Sequence, residues 1–543
     1  MNNLEVAQKA KLRPIGEIAS WANLASEDFE QLGNFKAKLS DAAVKRLSAS
    51  EKKGKLILVT AINPTPAGEG KTTVSIGLAQ GLNRIGRKAI PALREPALGP
   101  VFGVKGGACG GGYSQVIPME DINLFFTGDM PAITAAHNLL AAMLDGSLHS
   151  GNPKSIDMRH IWFPRTVDMI DRSLRDIVIG LGSGNGPVRS DRFVITPASE
   201  VMASLCLSRS RHDLKERLGR IIVGLDGDGA PVTGRDLGAT GAMAALLKDA
   251  CRPNLVQTIE GGAALIHGGP FGNVAHGCSS VMGTQCGLGM AEFLVTEGGF
   301  GSDLGGEKFL NIVSPEVGKD PDAIVLVATV RALKYHGEGD LQAGMANLGQ
   351  HIRHVSSYGV PVVVAVNRFL DDTNEEIEEV CKYAISKGVS AIEANPWMCG
   401  GTGCEDLAEL VATLSAKPSK FSRMYENSDS IETKLEKLTK GVYGGEGVTY
   451  TAAAEKRIKW ANAHGYGELP VCVAKTQMSL SDDARRIGAP TGFDLHVREV
   501  NISAGAGFLV AVCGDIMLMP GMGKTPAATR IDIDDNGVIS GLN

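Results

Sequence analysis

No apolar stretch of this 543-residue chain approaches the span of a bilayer, which argues against a membrane-spanning helix. The opening Met1-Asn-Asn-Leu-Glu-Val-Ala-Gln-Lys9 carries no apolar core of the kind a secretory signal needs, so a cytoplasmic location is expected. There is no long run of Lys or Arg, and the net charge is −6. Without a basic patch the chain lacks the electrostatic footprint of a nucleic-acid or anionic-membrane binder, which leaves small molecules as partners. The ten cysteines show no paired CxxC spacing. The nearest two, Cys399 and Cys404, bracket Gly400-Gly-Thr-Gly403, so neither a disulfide framework nor a zinc site is expected and most cysteines read as small core residues. Fixed-period repeats and low-complexity tracts are absent as well.

What the chain has in excess is glycine, at 68 of 543 residues against a usual ~7%. The excess is clustered in Gly99 to Gly112, Gly261-Gly262 with Gly268-Gly269, Gly298 to Gly306, Gly400 to Gly403 and Gly505-Ala-Gly507. Clusters of this kind mark loops where backbone approaches a ligand closely. The length implies about two to four domains.

One cluster follows a strand signal. Lys55-Leu-Ile-Leu-Val-Thr-Ala-Ile62 is short, apolar and rich in β-branched residues, as in a central parallel strand. After Asn63 and Pro64 comes Thr65-Pro66-Ala67-Gly68-Glu69-Gly70-Lys71-Thr72-Thr73, followed by a helical pattern to Leu82. In a phosphate loop the glycines turn backbone N–H groups inward, Lys71 reaches the β- and γ-phosphates and Thr72 offers its hydroxyl to Mg²⁺. The pattern is incomplete, because Thr65 stands where the first Gly would fall. Strand, loop and helix together imply ATP or GTP bound at Thr65 to Thr73, with Mg²⁺ on Thr72. Buried runs at Ile324 to Val330, Val360 to Val366 and Phe508 to Cys513 alternate with helical periods at Ala332 to Tyr358, with a helix start at Asp340 to Leu348, and Glu375 to Ser386. The fold class expected is α/β: a P-loop NTPase-like, doubly wound, mainly parallel sheet with smaller α/β domains added. The polar stretch Ser415 to Lys440 sets a boundary, giving residues 1–320, 321–415 and 416–543 as domains.

Other candidates lie on strand-end loops. Ile90 to Arg94 reads as a strand end, which puts Arg94 at the carboxyl edge where open α/β sheets bind ligands. Its planar fork suits a carboxylate or an acyl phosphate, and its plainer role is an ion pair with Glu95 or Glu120. Glu120, Asp121 and Asp129 could meet a metal or a cationic group, or form a solvated loop. His267 and His276 are too far apart for a metal pair and read as polar contacts to ligand or backbone. Trp397, just after Val389 to Ala394, is core filler or a stacking platform for a flat heterocycle.

These strings together resemble the formate–tetrahydrofolate ligase family from about Ile15 to Ala528. The resemblance rests on Thr65 to Thr73, Arg94-Glu-Pro-Ala-Leu-Gly-Pro-Val-Phe-Gly103, Gly110-Gly-Gly-Tyr-Ser-Gln115, Pro118-Met-Glu-Asp-Ile-Asn123, Asn254-Leu-Val-Gln-Thr258 and His267-Gly-Gly-Pro-Phe271. Thr296-Glu-Gly-Gly-Phe-Gly301, Val366-Asn-Arg-Phe369 and Ser503-Ala-Gly-Ala-Gly507 extend it. It implies an ATP- and Mg²⁺-dependent ligation of formate to tetrahydrofolate through formyl phosphate. It also implies a homotetramer and a monovalent cation such as K⁺ or NH₄⁺. By resemblance Lys71, Arg94 and Glu95 are catalytic, Arg94 holds the acyl phosphate, Phe369 and Trp397 line the folate pocket, and Phe300 stands near the reacting end.

The chain departs from the family pattern in its site loops. Phe125 and Pro131 each replace a His, Gly261-Gly-Ala263 replaces N-T-P, Val313-Ser-Pro315 replaces K-C-R, Leu370 replaces a Pro, Cys399 a Lys and Met478 an aromatic. Two other readings are therefore weighed: a paralogous ATP-dependent ligase for another acid or acceptor, and a non-catalytic nucleotide-binding regulator.

Overall fold

The β-branched runs assemble into one sheet of twelve strands. In the computed structural model, which describes residues 2–103 and 106–542, its main path uses β1 (Phe29–Gln31), β2 (Ala37–Leu39), β3 (Lys55–Ala61), β4 (Ala89–Leu93) and β5 (Asn254–Thr258). It continues through β6 (Ala263–Ile266), β7 (Phe293–Glu297), β8 (Ala323–Ala328), β9 (Val362–Asn367) and β10 (Ser390–Ala394). Across the sheet the order is β1-β2-β5-β6-β4-β7-β3-β8-β9-β10. From β6 to β10 every neighbouring pair is parallel, and antiparallel pairing on this path is confined to β1, β2, β5 and β6.

Strand alternation sends neighbouring residues to opposite faces, and both faces are buried. Leu56 and Leu58 join one core with Leu333 of α2 (Val330–His336) and Leu348 of α3 (Leu341–Ser356). Ile57 and Val59 join another with Val74 and Leu78 of α1 (Lys71–Arg84) and Leu407 and Val411 of α4 (Glu405–Ser415). Helices thus cover both faces, and the architecture is α/β with a large, mainly parallel sheet. Leu78 has no exposed surface, so its truncation to Ala should cost about 2–5 kcal/mol. The helical period from Ala332 to Tyr358 is broken in two, because a Cβ at Gly337 would lie 2.0 Å from the Asp340 carbonyl and Gly339 has φ 101°. Asp340 then caps α3 by accepting from the Gln342 N–H at 2.9 Å.

The segment 321–415 contributes β8, β9 and β10 to the same sheet as β3. Beyond α4 the chain leaves that sheet. Strands β11 (Gly447–Tyr450), β12 (Val471–Ala474), β13 (Asp494–Ser503) and β14 (Phe508–Cys513) form a separate one, ordered β11-β13-β14-β12, over its own core. Between β4 and β5, Ile156–Ile161, Ile222–Asp226 and Pro231–Thr233 build a small three-stranded sheet. Among the described residues no helix is long and apolar enough to cross a membrane.

Candidate functional site

The carboxyl ends of β3, β4, β7, β8 and β9 meet along one edge of the sheet, and the phosphate loop rises from β3. Gly68 and Gly70 adopt φ of 79° and 68°, a region open to glycine at no steric cost. Gly70 is also the residue before α1, so the loop hands its backbone N–H groups to a helix N-terminus. Glu69 turns back into the protein. One of its carboxylate oxygens accepts from the Thr65 N–H at 2.6 Å and the other from the Thr329 hydroxyl. Its carbonyl accepts from Asn367 Nδ2 at 3.0 Å, and the Gly68 carbonyl accepts from the Arg331 guanidinium. The loop is braced by residues at the ends of β8 and β9. Thr65 and Thr73 are buried, while Pro66 and Ala67 are exposed at the tip.

Three predicted residues converge on a fourth that sequence reasoning did not single out. Lys71 Nζ lies 2.7 Å from Glu297 Oε2, the Thr72 hydroxyl donates to the same oxygen at 2.9 Å, and Arg94 Nη2 stands 3.7 Å from Oε1. Glu297 ends β7 and is 2% exposed. Burial alone would raise its carboxyl, but Lys71, Arg94 and Thr72 hold it below the ordinary range. Burial lowers Lys71 in spite of Glu297, since two cations share one carboxylate and Arg94 opposes the lysine charge. A polar signal was present: Glu297 closes the otherwise apolar run Phe293-Leu-Val-Thr-Glu297.

Arg94 follows β4 directly, at the expected edge. Its partners are Glu297 and, through Nη1 at 3.1 Å, the Pro270 carbonyl; the pairing with Glu95 or Glu120 is not formed. The Gly298–Gly301 turn packs against it, and a Cβ at Gly299 would sit 3.0 Å from Arg94 Nη1. Glu95 faces the other way, into a buried group with Asp129, Lys38 and Asp168. Burial first and then the Asp129 charge push its carboxyl well above the usual range. Asp129 is bound by Lys38 at 2.7 Å and Asp121 by Lys36 at 2.7 Å, while Glu120 accepts from Gln8 at 2.7 Å. The acidic loop thus meets cationic and amide groups. Among the described residues no group of three His, Cys, Asp or Glu could hold a metal ion. His267 is spent on Ser280 and the Ala250 carbonyl at 2.6 and 2.7 Å.

A loop whose Lys and Thr share a strand-end carboxylate with an arginine from the adjoining parallel strand has the cations and hydroxyl to accept a polyphosphate and a second anion. The formate–tetrahydrofolate ligase profile matches residues 1–543. A curated formate–tetrahydrofolate ligase of Symbiobacterium thermophilum is 53% identical over 555 aligned residues, covering 100% of both chains. The chain belongs to the formate–tetrahydrofolate ligase family.

In this ligase-family chain the aromatic candidates stand on the same edge, on loops after β7, β9 and β10. Phe300 takes φ 61°, a strained value for a bulky residue. Phe369 carries the Arg331 guanidinium 4.2 Å from its ring centre. Trp397 sits in the short helix Pro396–Cys399, donates from its indole to Asn3 Oδ1 at 3.1 Å and backs onto Gly111 and Gly112. The departures from the family pattern divide by exposure. Phe125 and Leu370 are 64% and 71% exposed, and Cys399 and Pro131 are also on the surface, whereas Val313 and Ser314 are buried and serve packing.

Proposed function

We propose that the protein ligates formate to tetrahydrofolate with ATP, giving 10-formyltetrahydrofolate, ADP and phosphate through formyl phosphate. The observation that carries this reading is the convergence of Lys71, Thr72 and Arg94 on Glu297 at the mouth of the phosphate loop. A formate oxygen attacks the γ-phosphorus and the bond to the β–γ bridging oxygen breaks, releasing ADP. N10 of tetrahydrofolate then attacks the formyl carbon, phosphate departs and the nitrogen loses its proton. Negative charge gathers on phosphoryl oxygens in both steps, and fixed cations oppose it without reorganising. Lys71 would leave Glu297 for the β- and γ-phosphates, and Arg94 would grip the acyl phosphate with both arms of its fork. Thr72 Oγ1 and Glu297 are hard oxygen donors 2.9 Å apart, a set that fits Mg²⁺ arriving with the nucleotide, where the ion would neutralise phosphate charge. Glu95, buried with its carboxyl raised by burial and the Asp129 charge, acts behind Arg94 by supporting the strand end. Phe369 and Trp397 would flank the pterin, with Phe300 at the reacting end. A homotetramer and a monovalent cation such as K⁺ or NH₄⁺ belong to the same reading, on family membership alone.

The test is ADP and 10-formyltetrahydrofolate formation from ATP, formate and tetrahydrofolate. The expected result is one folate formylated per ATP, with no product when formate is omitted. ATP turnover with another acid or amine but none with formate and tetrahydrofolate would replace this reading by the paralogous ligase.

A further inference from the structure

Arg331 stands between two sites that the reaction must fill together. It lies in the first turn of α2, two residues beyond Thr329, whose hydroxyl both caps that helix by accepting from the Ala332 N–H at 3.0 Å and donates to Glu69 of the phosphate loop. The Arg331 guanidinium donates to the Gly68 carbonyl in the same loop. Its carbon is 4.2 Å from the centre of the Phe369 ring. Its Nε is buried and has no partner. Among the described residues Arg331 forms no ion pair with a carboxylate, and the loop carbonyl and the aromatic face both hold this cation. Asn367, two residues before Phe369, reaches the same loop by donating to the Glu69 carbonyl at 3.0 Å.

We propose that Arg331 is a positioning residue that couples the nucleotide loop to the aromatic wall of the acceptor pocket, so that filling either site tightens the other. A ligand stacked on the far face of Phe369 would confine that ring, and a confined ring confines the guanidinium above it. The guanidinium then holds the Gly68 carbonyl turned outward, the orientation that leaves the loop N–H groups facing a polyphosphate. In the other direction, bound phosphates fix the loop, the loop fixes Arg331, and Arg331 presents Phe369 in one orientation. Such coupling is reciprocal by thermodynamic necessity. The inference rests on the reading of Phe369 as the wall of the folate pocket, but the link from Phe369 to the loop can be measured with no folate present.

The experiment is calorimetric titration of Mg²⁺-ADP into the full-length protein, comparing the parent, Phe369→Leu, Arg331→Gln and the double variant, first without folate and then with saturating tetrahydrofolate. Without folate, Phe369→Leu should weaken ADP by roughly 3- to 10-fold in the parent and by less than about twofold in the Arg331→Gln background. With tetrahydrofolate the parent should bind ADP on the order of 10-fold more tightly, and Arg331→Gln should reduce that gain to below about twofold. A purely structural arginine would move the affinities and leave the gain unchanged. If Arg331→Gln does not fold, Arg331→Lys replaces it, since it keeps the charge and loses the planar face. Equal loss from Phe369→Leu in both backgrounds, or no loss in either, overturns the inference. A parent that shows the folate-free link and binds no tetrahydrofolate upholds the link and overturns the acceptor reading instead.

Discussion

The proposed phosphate end and the proposed acceptor end of this site are built differently. At the phosphate end each functional side chain already has a partner: Lys71, Thr72 and Arg94 share Glu297, and the loop is tied to Asn367, Thr329 and Arg331. At the acceptor end the surface is apolar and open, with Leu370 at 71% and Met398 at 48% exposure beside Phe369, Trp397 and Cys399. Charge stabilisation requires donors and cations fixed before the reaction, since dipoles that must reorganise give back what they contribute. Recognition of a flat ring needs area more than geometry, and tolerates substitution. This contrast explains why the phosphate loop keeps its motif while the departures Phe125, Leu370 and Cys399 lie on exposed positions.

The contrast is broken first by deleting the phosphate cation. Lys71→Ala should lower ATP-dependent turnover by on the order of 10³ or more, because none of the other side chains on this loop carries a positive charge. Steady-state turnover near the parent's would reject the loop as the phosphate site. Glu297→Gln comes next, with an expected loss of roughly 10² in turnover. It should also abolish the Mg²⁺ dependence of ATP binding while Mg²⁺-free ATP binds at least as tightly, since no carboxylate then faces the phosphates. Equilibrium titration with and without Mg²⁺ distinguishes this from a folding defect. At the acceptor end the effect should be smaller: Trp397→Ala should weaken tetrahydrofolate by ~10-fold and leave ATP affinity within about twofold. Parallel titrations of both ligands check it, and an equal loss for ATP would erase the difference between the two ends.

The smallest effect is on stability. Burial lowers His267 from 6.5 to about 4, so the native state keeps it neutral while the unfolded chain protonates it below about pH 6.5. Its contribution is complete above 6.5 and is lost as the pH falls toward 4, at up to about 1.4 kcal/mol per unit. Denaturant titrations between pH 7 and 5 should show stability falling with pH, and His267→Gln should reduce that slope by up to about 1.4 kcal/mol per unit, the rest belonging to groups such as His137, His276, His351 and His354, which burial also lowers.

The phosphate loop was legible because its information is local: a buried strand, two glycines at positive φ and a helix start lie within 30 residues of one another. Arg94 was legible for the same reason, as the residue after a strand. Its partner was not. Glu297 is more than 200 residues away in sequence and becomes its neighbour only because β7 lies between β3 and β4, an order that no local pattern specifies. The same holds for Asn367 and Arg331, which reach the loop across β8 and β9. The plainer reading of Glu95 as the ion-pair partner of Arg94 failed because alternation at the strand end turns it toward Lys38 and Asp129. The split between α2 and α3 was legible from the helix start at Asp340, which caps Leu341–Ser356, although the apolar period continues on either side of Gly337.

The central claim is that Arg94 and the phosphate loop first make an acyl phosphate, and it is tested most directly with ATP carrying ¹⁸O in the β–γ bridge. In the presence of formate and the absence of tetrahydrofolate, reversible transfer of the γ-phosphoryl group to a formate oxygen, with ADP leaving and returning, should move the label into the β-nonbridging positions. Arg94→Ala should suppress that movement by at least ~10² while ATP still binds. Label that stays in the bridge with formate present, while 10-formyltetrahydrofolate is still made when tetrahydrofolate is added, would contradict the account.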